Sequence, residues 1–335
     1  MRESVAITIT ESSQTGEARR VAMALATRLG FAETERGKVG IVVTEVANNL
    51  VQHAHGGVML LRSLKHHLAV GIEVLSLDKG PGMVDVDECL QDGFSTAGTS
   101  GNGMGAIRRL SNLLEIYSIP NQGTALLAHL WSNPTLHAPE KTLEIGVICL
   151  PKRGEDVSGD AWACQVEHYR SLLLVADGLG HGTEAASAAS QAVRIFQDHH
   201  HRSPGAILEA AHAALRSTRG AVIAIAEIDY EQESVRFAGI GNIAASIFSF
   251  TKHHNLLSHN GTVGHEIRKI QEFSYPWYPN GLLIMHSDGL GAKWQLDRYP
   301  GLSQKHPSLI AGVLYRDFNR ERDDVTVLMA KGMGR

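Results

Sequence analysis

Asp160 and Asp177 bracket the run AWACQVEHYRSLLLVA. If 161–167 and 170–176 form an antiparallel hairpin turning at His168–Tyr169, then 161 faces 176 and Asp160 faces Asp177. Carboxylates directly opposite one another repel, and a bound cation is the natural remedy. Two more acids arrive in the same way: Asp288 follows LLIMHS, and Asp323 opens DDVTVLMA. With the carbonyl of Gly178 they make a hard oxygen set suited to magnesium or manganese. Two such ions about 3.5–4 Å apart lower the pKa of water and clamp a phosphoryl group. The plainer reading is that Asp177-Gly178 and Asp288-Gly289 are turn dipeptides and that Asp323-Asp324 is a solvated loop. Cys164 and Arg170 also have the C-x5-R spacing of cysteine phosphatases. That chemistry needs a loop curled around phosphate at a helix start, whereas QVEHY lacks glycine and joins two strands.

A second constellation lies earlier. Glu45 and Asn49 stand four apart on an expected helix, so their side chains share a face. A carboxylate there can take a proton while an amide oxygen ligates magnesium. Asp78 ends the strand-like LAVGIEVLSL and can accept the exocyclic amine of adenine. Gly80 and Gly82 of DKGPG let backbone approach a flat base. The cluster GNGMG places Gly101, Gly103 and Gly105 at a helix start, where N–H groups meet phosphates. A dinucleotide fingerprint needs a preceding strand and an acid about 20 residues on; here Glu115 comes too soon, and there is no GxxxxGK[ST] run. Taken singly, each piece also reads as exposed helix face, turn or loop; their order and spacing carry the argument.

These groups must be positioned by alternating strands and helices. Strands are expected at 4–10, 57–64, 68–77, 115–119 and 123–131, and helices at 15–29, 35–54 and 104–114. The segment SNPTLHAPEKT, 132–142, has two prolines and little apolar content and reads as a linker. Beyond it strands are expected at 143–150, 161–167, 170–176, 221–229, 234–240, 243–250, 281–287 and 324–331. Helices are expected near 183–198, 205–217 and 306–318. The division is therefore 1–131, linker 132–142 and 143–335.

The chain has 335 residues, 43% hydrophobic and 20% charged, with net charge -4. That suits two packed α/β domains and disfavours nucleic acid as partner. Three separated cysteines suggest no disulfide framework and fit a reducing cytoplasm. No run reaches the ~18–20 apolar residues of a membrane span. The 18 histidines, without HExxH spacing, read mostly as surface.

TEVANNLVQHA resembles the N box of the GHKL (Bergerat) ATP-binding fold, DKGPGM its first glycine box and GNGMGAIRRL its second. The lid GFSTAGTS and the trailing NQGTAL are similar to those of the RsbT-like serine kinases of bacterial partner switches. This resemblance implies an α/β sandwich over 1–131, Glu45 as catalytic base, Asn49 as Mg2+ ligand and Asp78 as adenine reader. It adds Gly80, Gly82, Gly101, Gly103, Met104, Gly105 and Thr124 to the ATP-binding residues. GD at 159–160, DGLGHG at 177–182, SDG at 287–289 and DDVT at 323–326 resemble the metal-dependent PPM phosphatases of the SpoIIE and RsbX-like branch. That implies an α-β-β-α sandwich over 143–335 with Asp160, Asp177, Gly178, Asp288 and Asp323 as ligands of two Mn2+ or Mg2+ ions. Asp160 and Asp177 are thereby catalytic, Asp324 is a weaker ligand than Asp323, and Arg153 is the one candidate phosphate clamp. Together the resemblances imply a bifunctional switch regulator that phosphorylates and dephosphorylates a STAS-type antagonist. The alternative is a phosphatase whose first domain only binds ATP or a sigma factor. Oligomeric state stays open.

Overall fold

The computed structural model describes residues 4–66, 69–90, 103–133, 142–249 and 252–334. It divides into two compact units, one of residues 1–139 with 308–316, the other of 140–307 with 317–335.

The first unit is built on a five-stranded antiparallel sheet ordered β1-β2-β3-β5-β4. Its strands are β1 (Ser4–Ile9), β2 (Gly57–His66), β3 (Ala69–Leu77), β4 (Leu113–Ile119) and β5 (Gly123–Trp131). Helices α1 (Ser12–Arg28) and α2 (Glu33–Gln52), the short α3 (Val86–Cys89) and α4 (Gly103–Leu110) complete it. One face of the sheet (Ile7, Met59, Leu61, Ile72, Val74, Leu126) joins Ala22, Val42, Val46 and Ile107 of the helices in one core. Alternation sends Leu60, Arg62, Glu73, Leu75, Leu127 and His129 to the other face. They too are buried, which is why β3 and β5 read as nearly unbroken apolar runs.

The second unit stacks two five-stranded sheets, ordered β13-β10-β9-β8-β7 and β12-β11-β14-β15-β6. The first comprises β7 (Asp160–Val166), β8 (Arg170–Gly178), β9 (Ala221–Asp229), β10 (Ser234–Ile240) and β13 (Phe273–Pro276). The second comprises β6 (Leu143–Leu150), β11 (Ala244–Phe248), β12 (His253–Asn255), β14 (Leu282–His286) and β15 (Val325–Gly332). Trp162, Leu173, Phe237, Leu283 and Leu328 fill the space between them. Helices α5 (Thr183–His199) and α6 (Pro204–Ala214) cover the first sheet through Ala189, Phe196 and Leu208. Pro204, at the start of α6, suits a position whose N–H has no helical partner.

The last helix, α7 (Pro307–Phe318), lies within the stretch expected to be helical, yet residues 308–316 belong to the first unit. Ser308 Oγ donates to Glu73 Oε2 at 2.6 Å, and a Cβ on Gly312 would stand 2.9 Å from the methyls of Leu75 and Leu77.

Several boundaries move. α4 stops at Leu110 rather than 114, because Leu113 and Leu114 pair with His129 and Ala128 of β5. β12, β13 and α3 are unforeseen and short. His129 and His286 are buried rather than on the surface. Much of the expected linker, 134–141, and the expected lid, 93–100, lie outside the described residues.

Candidate functional site

In the first unit α2 presents Glu45 and Asn49, half-buried, to the start of α4. A Cβ on Gly103 would stand 2.7 Å from Glu45 Oε2, so glycine keeps this approach open. Asn49 Nδ2 donates to Met104 Sδ at 3.2 Å, leaving the amide oxygen for a cation. At the end of β3, Asp78 Oδ1 accepts from Gly80 N at 2.8 Å and Thr124 N at 3.1 Å. Among the described residues Oδ2 accepts nothing, so it remains for a donor such as an exocyclic amine. Burial pushes the Asp78 carboxyl pKa up, against the pull of those two amides and of the Arg316 charge. Gly82 has φ +69 and packs against the Ile119 carbonyl, where a side chain would collide. Thr124 Oγ1 shares a 2.8 Å hydrogen bond with Ser118 Oγ. Glu45, Asn49, Gly103 and Met104 thus meet at one place, and Asp78, Gly80 and Thr124 at another. Gly105 is buried in α4; Gly101 lies outside the described residues.

In the second unit β7 and β8 pair with Asp160 opposite Asp177. Asp160 is 1% exposed, and its Oδ2 accepts from Ser287 Oγ at 2.6 Å. Asp288 Oδ2 accepts from Asn242 Nδ2 at 2.9 Å. Asp324 Oδ1 accepts from Lys152 N at 2.8 Å, while its Oδ2 is buried with no hydrogen-bond partner among the described residues. Burial, then the neighbouring carboxylates, hold the Asp160 and Asp177 pKa values well above the usual range. Asp177, Asp288 and Asp323 line an open cleft of about 260 Å3 together with Lys152, Asn242 and Arg322. Beside them His181 Nδ1 lies 2.7 Å from Glu155 Oε1.

Two DG dipeptides have a packing reason. A Cβ on Gly178 would run into the Ala185 carbonyl, and one on Gly289 into that of Asp324. The acids are thus set where backbones from different segments touch. Three acids on one cleft wall, an opposed pair and an orphaned buried carboxylate oxygen fit divalent cations, because an unpaired carboxylate is costly to bury.

Asp324 lies deeper than Asp323, which is exposed. Arg153, the candidate clamp, is exposed and does not line the cleft; its neighbour Lys152 does. Arg170 is occupied structurally, 3.2 Å from Glu167 and 3.7 Å from Glu227, which leaves the C-x5-R spacing without a phosphate loop. Sequence reading missed Ser287, Asn242, Lys152 and Arg322. Only Ser287, beside Asp288, and Arg322, beside Asp323, carried a signal, that of adjacency.

Residues 9–129 match the histidine kinase-like ATPase domain family, and residues 167–332 match Stage II sporulation protein E. The chain thus joins a GHKL-type ATPase domain to a SpoIIE-type domain of the PPM phosphatases. It is similar to the serine/threonine-protein kinase RsbT of Bacillus subtilis, 28% identical over 114 residues, 34% of this chain and 86% of the relative. It is also similar to the phosphoserine phosphatase RsbX of Bacillus subtilis, 24% identical over 142 residues, 42% of this chain and 71% of the relative. A solved chain from work on the bacterial stressosome, described as a modular system adapted to control secondary messenger signaling, shares 29% identity. It covers 56% of this chain and 98% of its own, with a TM-score of 0.53. RsbX in complex with magnesium shares the fold at 20% identity and a TM-score of 0.51, over 58% of this chain and 98% of its own. Among the described residues no helix is long and apolar enough to cross a membrane.

Proposed function

We propose that this chain is a bifunctional partner-switching regulator. Its first unit transfers the γ-phosphoryl of Mg-ATP to a serine or threonine of a STAS-type antagonist protein, and its second hydrolyses the phosphoester on the same or a related protein. The observation that carries the reading is Asp160 opposite Asp177, one residue at the start of β7 and one near the end of β8, beside the unpartnered Asp324 Oδ2.

In the first unit Asp78 reads the adenine amine, with its carboxylate fixed by two backbone amides. Asn49 offers its oxygen to Mg2+, and the N–H groups at Gly103–Gly105 face phosphate oxygens. Glu45 takes the proton from the acceptor hydroxyl. In the second unit Asp160, Asp177, Asp288, Asp323 and the Gly178 carbonyl would hold two Mn2+ or Mg2+ ions, with Asp324 as a further acid. Such ions supply a strong nucleophile from water near neutral pH and polarise the phosphoryl group. Ser287 fixes the Asp160 carboxylate and Asn242 that of Asp288, so each acid keeps one orientation. Lys152 and Arg322 place positive charge on the cleft wall, where an incoming phosphate dianion needs it.

The test mixes purified chain with STAS proteins, radiolabelled ATP and Mn2+. Asp177→Ala should lose dephosphorylation and keep transfer; Glu45→Ala should lose transfer and keep dephosphorylation. If wild type removes phosphate from no such protein, the second half of the reading fails. If Glu45→Ala transfers as wild type does, the first unit only binds nucleotide or a sigma factor.

A further inference from the structure

Helix α7 carries Ser308, Gly312 and Arg316 at four-residue spacing, which sets them on one face. Within the first unit, they meet β3 and the residue that follows it at successive points. Ser308 Oγ donates to Glu73 Oε2. Gly312 lies on Leu75 and Leu77, close enough that a Cβ would press on their methyls. Arg316 Nη1 donates to the backbone carbonyl of Asp78 at 3.1 Å. The eight helical residues from Ser308 to Arg316 advance about 12 Å, and the five strand residues from Glu73 to Asp78 about 16 Å. The long Arg316 side chain covers the remainder to the Asp78 carbonyl.

The N-terminal end of this register is buried and fully engaged. Glu73 accepts from Arg62 Nε at 2.8 Å and lies 3.0 Å from His129 Nε2. Both are its direct cross-strand neighbours, and Ser308 is 0% exposed. The other end stops at the residue whose carboxylate is read as the adenine acceptor. There the backbone is crowded, since a Cβ on Gly123 would collide with the Asp78 carbonyl. A guanidinium on that carbonyl fixes the peptide from which the carboxylate hangs.

We infer that Arg316 is a nucleotide-positioning residue, supplied to the ATP site by the part of the sequence that matches the phosphatase family. The inference rests on the ATP reading of the first unit. Arg316 acts at one remove from the nucleotide: it sets the direction of the Asp78 carboxylate, and its charge favours the ionised form, the stronger acceptor for an exocyclic amine. Ser308 and Gly312 seat the helix so that Arg316 arrives at the carbonyl.

The test is Mg-ADP titration of the full chain by calorimetry, with thermal unfolding of each variant alongside. Arg316→Ala should weaken ADP roughly tenfold or more, the loss expected for a charged hydrogen bond, and should lower discrimination of ADP over GDP. Arg316→Lys should recover part of the affinity, because the charge returns without the planar fork. Ser308→Ala should weaken ADP less than Arg316→Ala while lowering the unfolding temperature more. Equal ADP affinity in Arg316→Ala and wild type, within twofold, would overturn the inference and leave the ATP reading intact. Wild type that binds no ADP would overturn the ATP reading and the inference with it. An Arg316→Ala chain that loses affinity only in proportion to lost folded protein, with ADP over GDP discrimination unchanged, would also overturn it.

Discussion

Ser308 Oγ donates to Glu73 Oε2 at 2.6 Å across 235 residues of sequence. Glu73 also holds Arg62 and His129, so a complete polar row crosses β2, β3 and β5 beneath a helix from near the other end of the chain. Burial alone would raise the Glu73 pKa. The Arg62 charge and the His129 and Ser308 bonds together hold it far below the usual carboxylate range.

Glu73→Gln should therefore destabilise the chain by about 3 kcal/mol near pH 7, since it strands the Arg62 charge. A depressed pKa gives stability that is present above the unfolded value of 4.5 and lost as pH falls toward the folded value. The gap between wild type and variant should narrow steadily below about pH 4.5. Denaturant unfolding at a series of pH values measures it; a constant gap would refute the ion-pair account.

Asp177→Asn should leave metal-free stability near pH 7 within about 0.5–1 kcal/mol. The metal-free Asp177 is held protonated by burial and by the acids around it, and asparagine resembles that form. The rise in unfolding temperature on adding Mn2+, large in wild type, should disappear. Scanning calorimetry with and without Mn2+ reads both, and an undiminished Mn2+ shift would remove Asp177 from the ligand set.

Arg322→Gln and Lys152→Met should each raise KM for a phosphoserine peptide, and together lower affinity for inorganic phosphate, with Mn2+ binding kept. Both residues line the cleft beside Asp177, Asp288 and Asp323. Each charged hydrogen bond to phosphate is worth about 1.5–3 kcal/mol, so a tenfold rise in KM is the expected scale. An unchanged phosphate affinity in the double variant would rule the pair out as a clamp.

Gly178→Ala should cost several kcal/mol or prevent folding, because its Cβ would occupy the place of the Ala185 carbonyl. Gly154→Ala, a glycine with φ +91 but no atom within 4 Å of an added Cβ, should cost only about 1 kcal/mol. Side-by-side thermal unfolding of the two variants separates collision from backbone strain.

Much of this was legible because the relevant partners are near in sequence. The β7–β8 register follows from a short turn between two adjacent strands, and it delivers Asp160 to Asp177. The Glu45–Asn49 face follows from helical period alone. The row of Arg62, Glu73 and His129 escaped notice because Glu73 and His129 are 56 residues apart. Each looked like an isolated polar break in an apolar strand. Asn242 escaped for a similar reason, since only the fold brings it to Asp288 across 46 residues. The period of 306–318 announced a helix but could not say which sheet it would cover; Ser308 and Gly312 look unremarkable until Glu73, Leu75 and Leu77 are set against them.

Synthesis runs from the N-terminus, so β2, β3 and β5 leave the ribosome long before residues 308–316 exist. Until then Arg62, Glu73 and His129 lie on a face without its cover, wetted rather than sealed. Closure of that sheet face accordingly waits for residues 308–316, and a ribosome stalled within the strands before them would leave it uncovered.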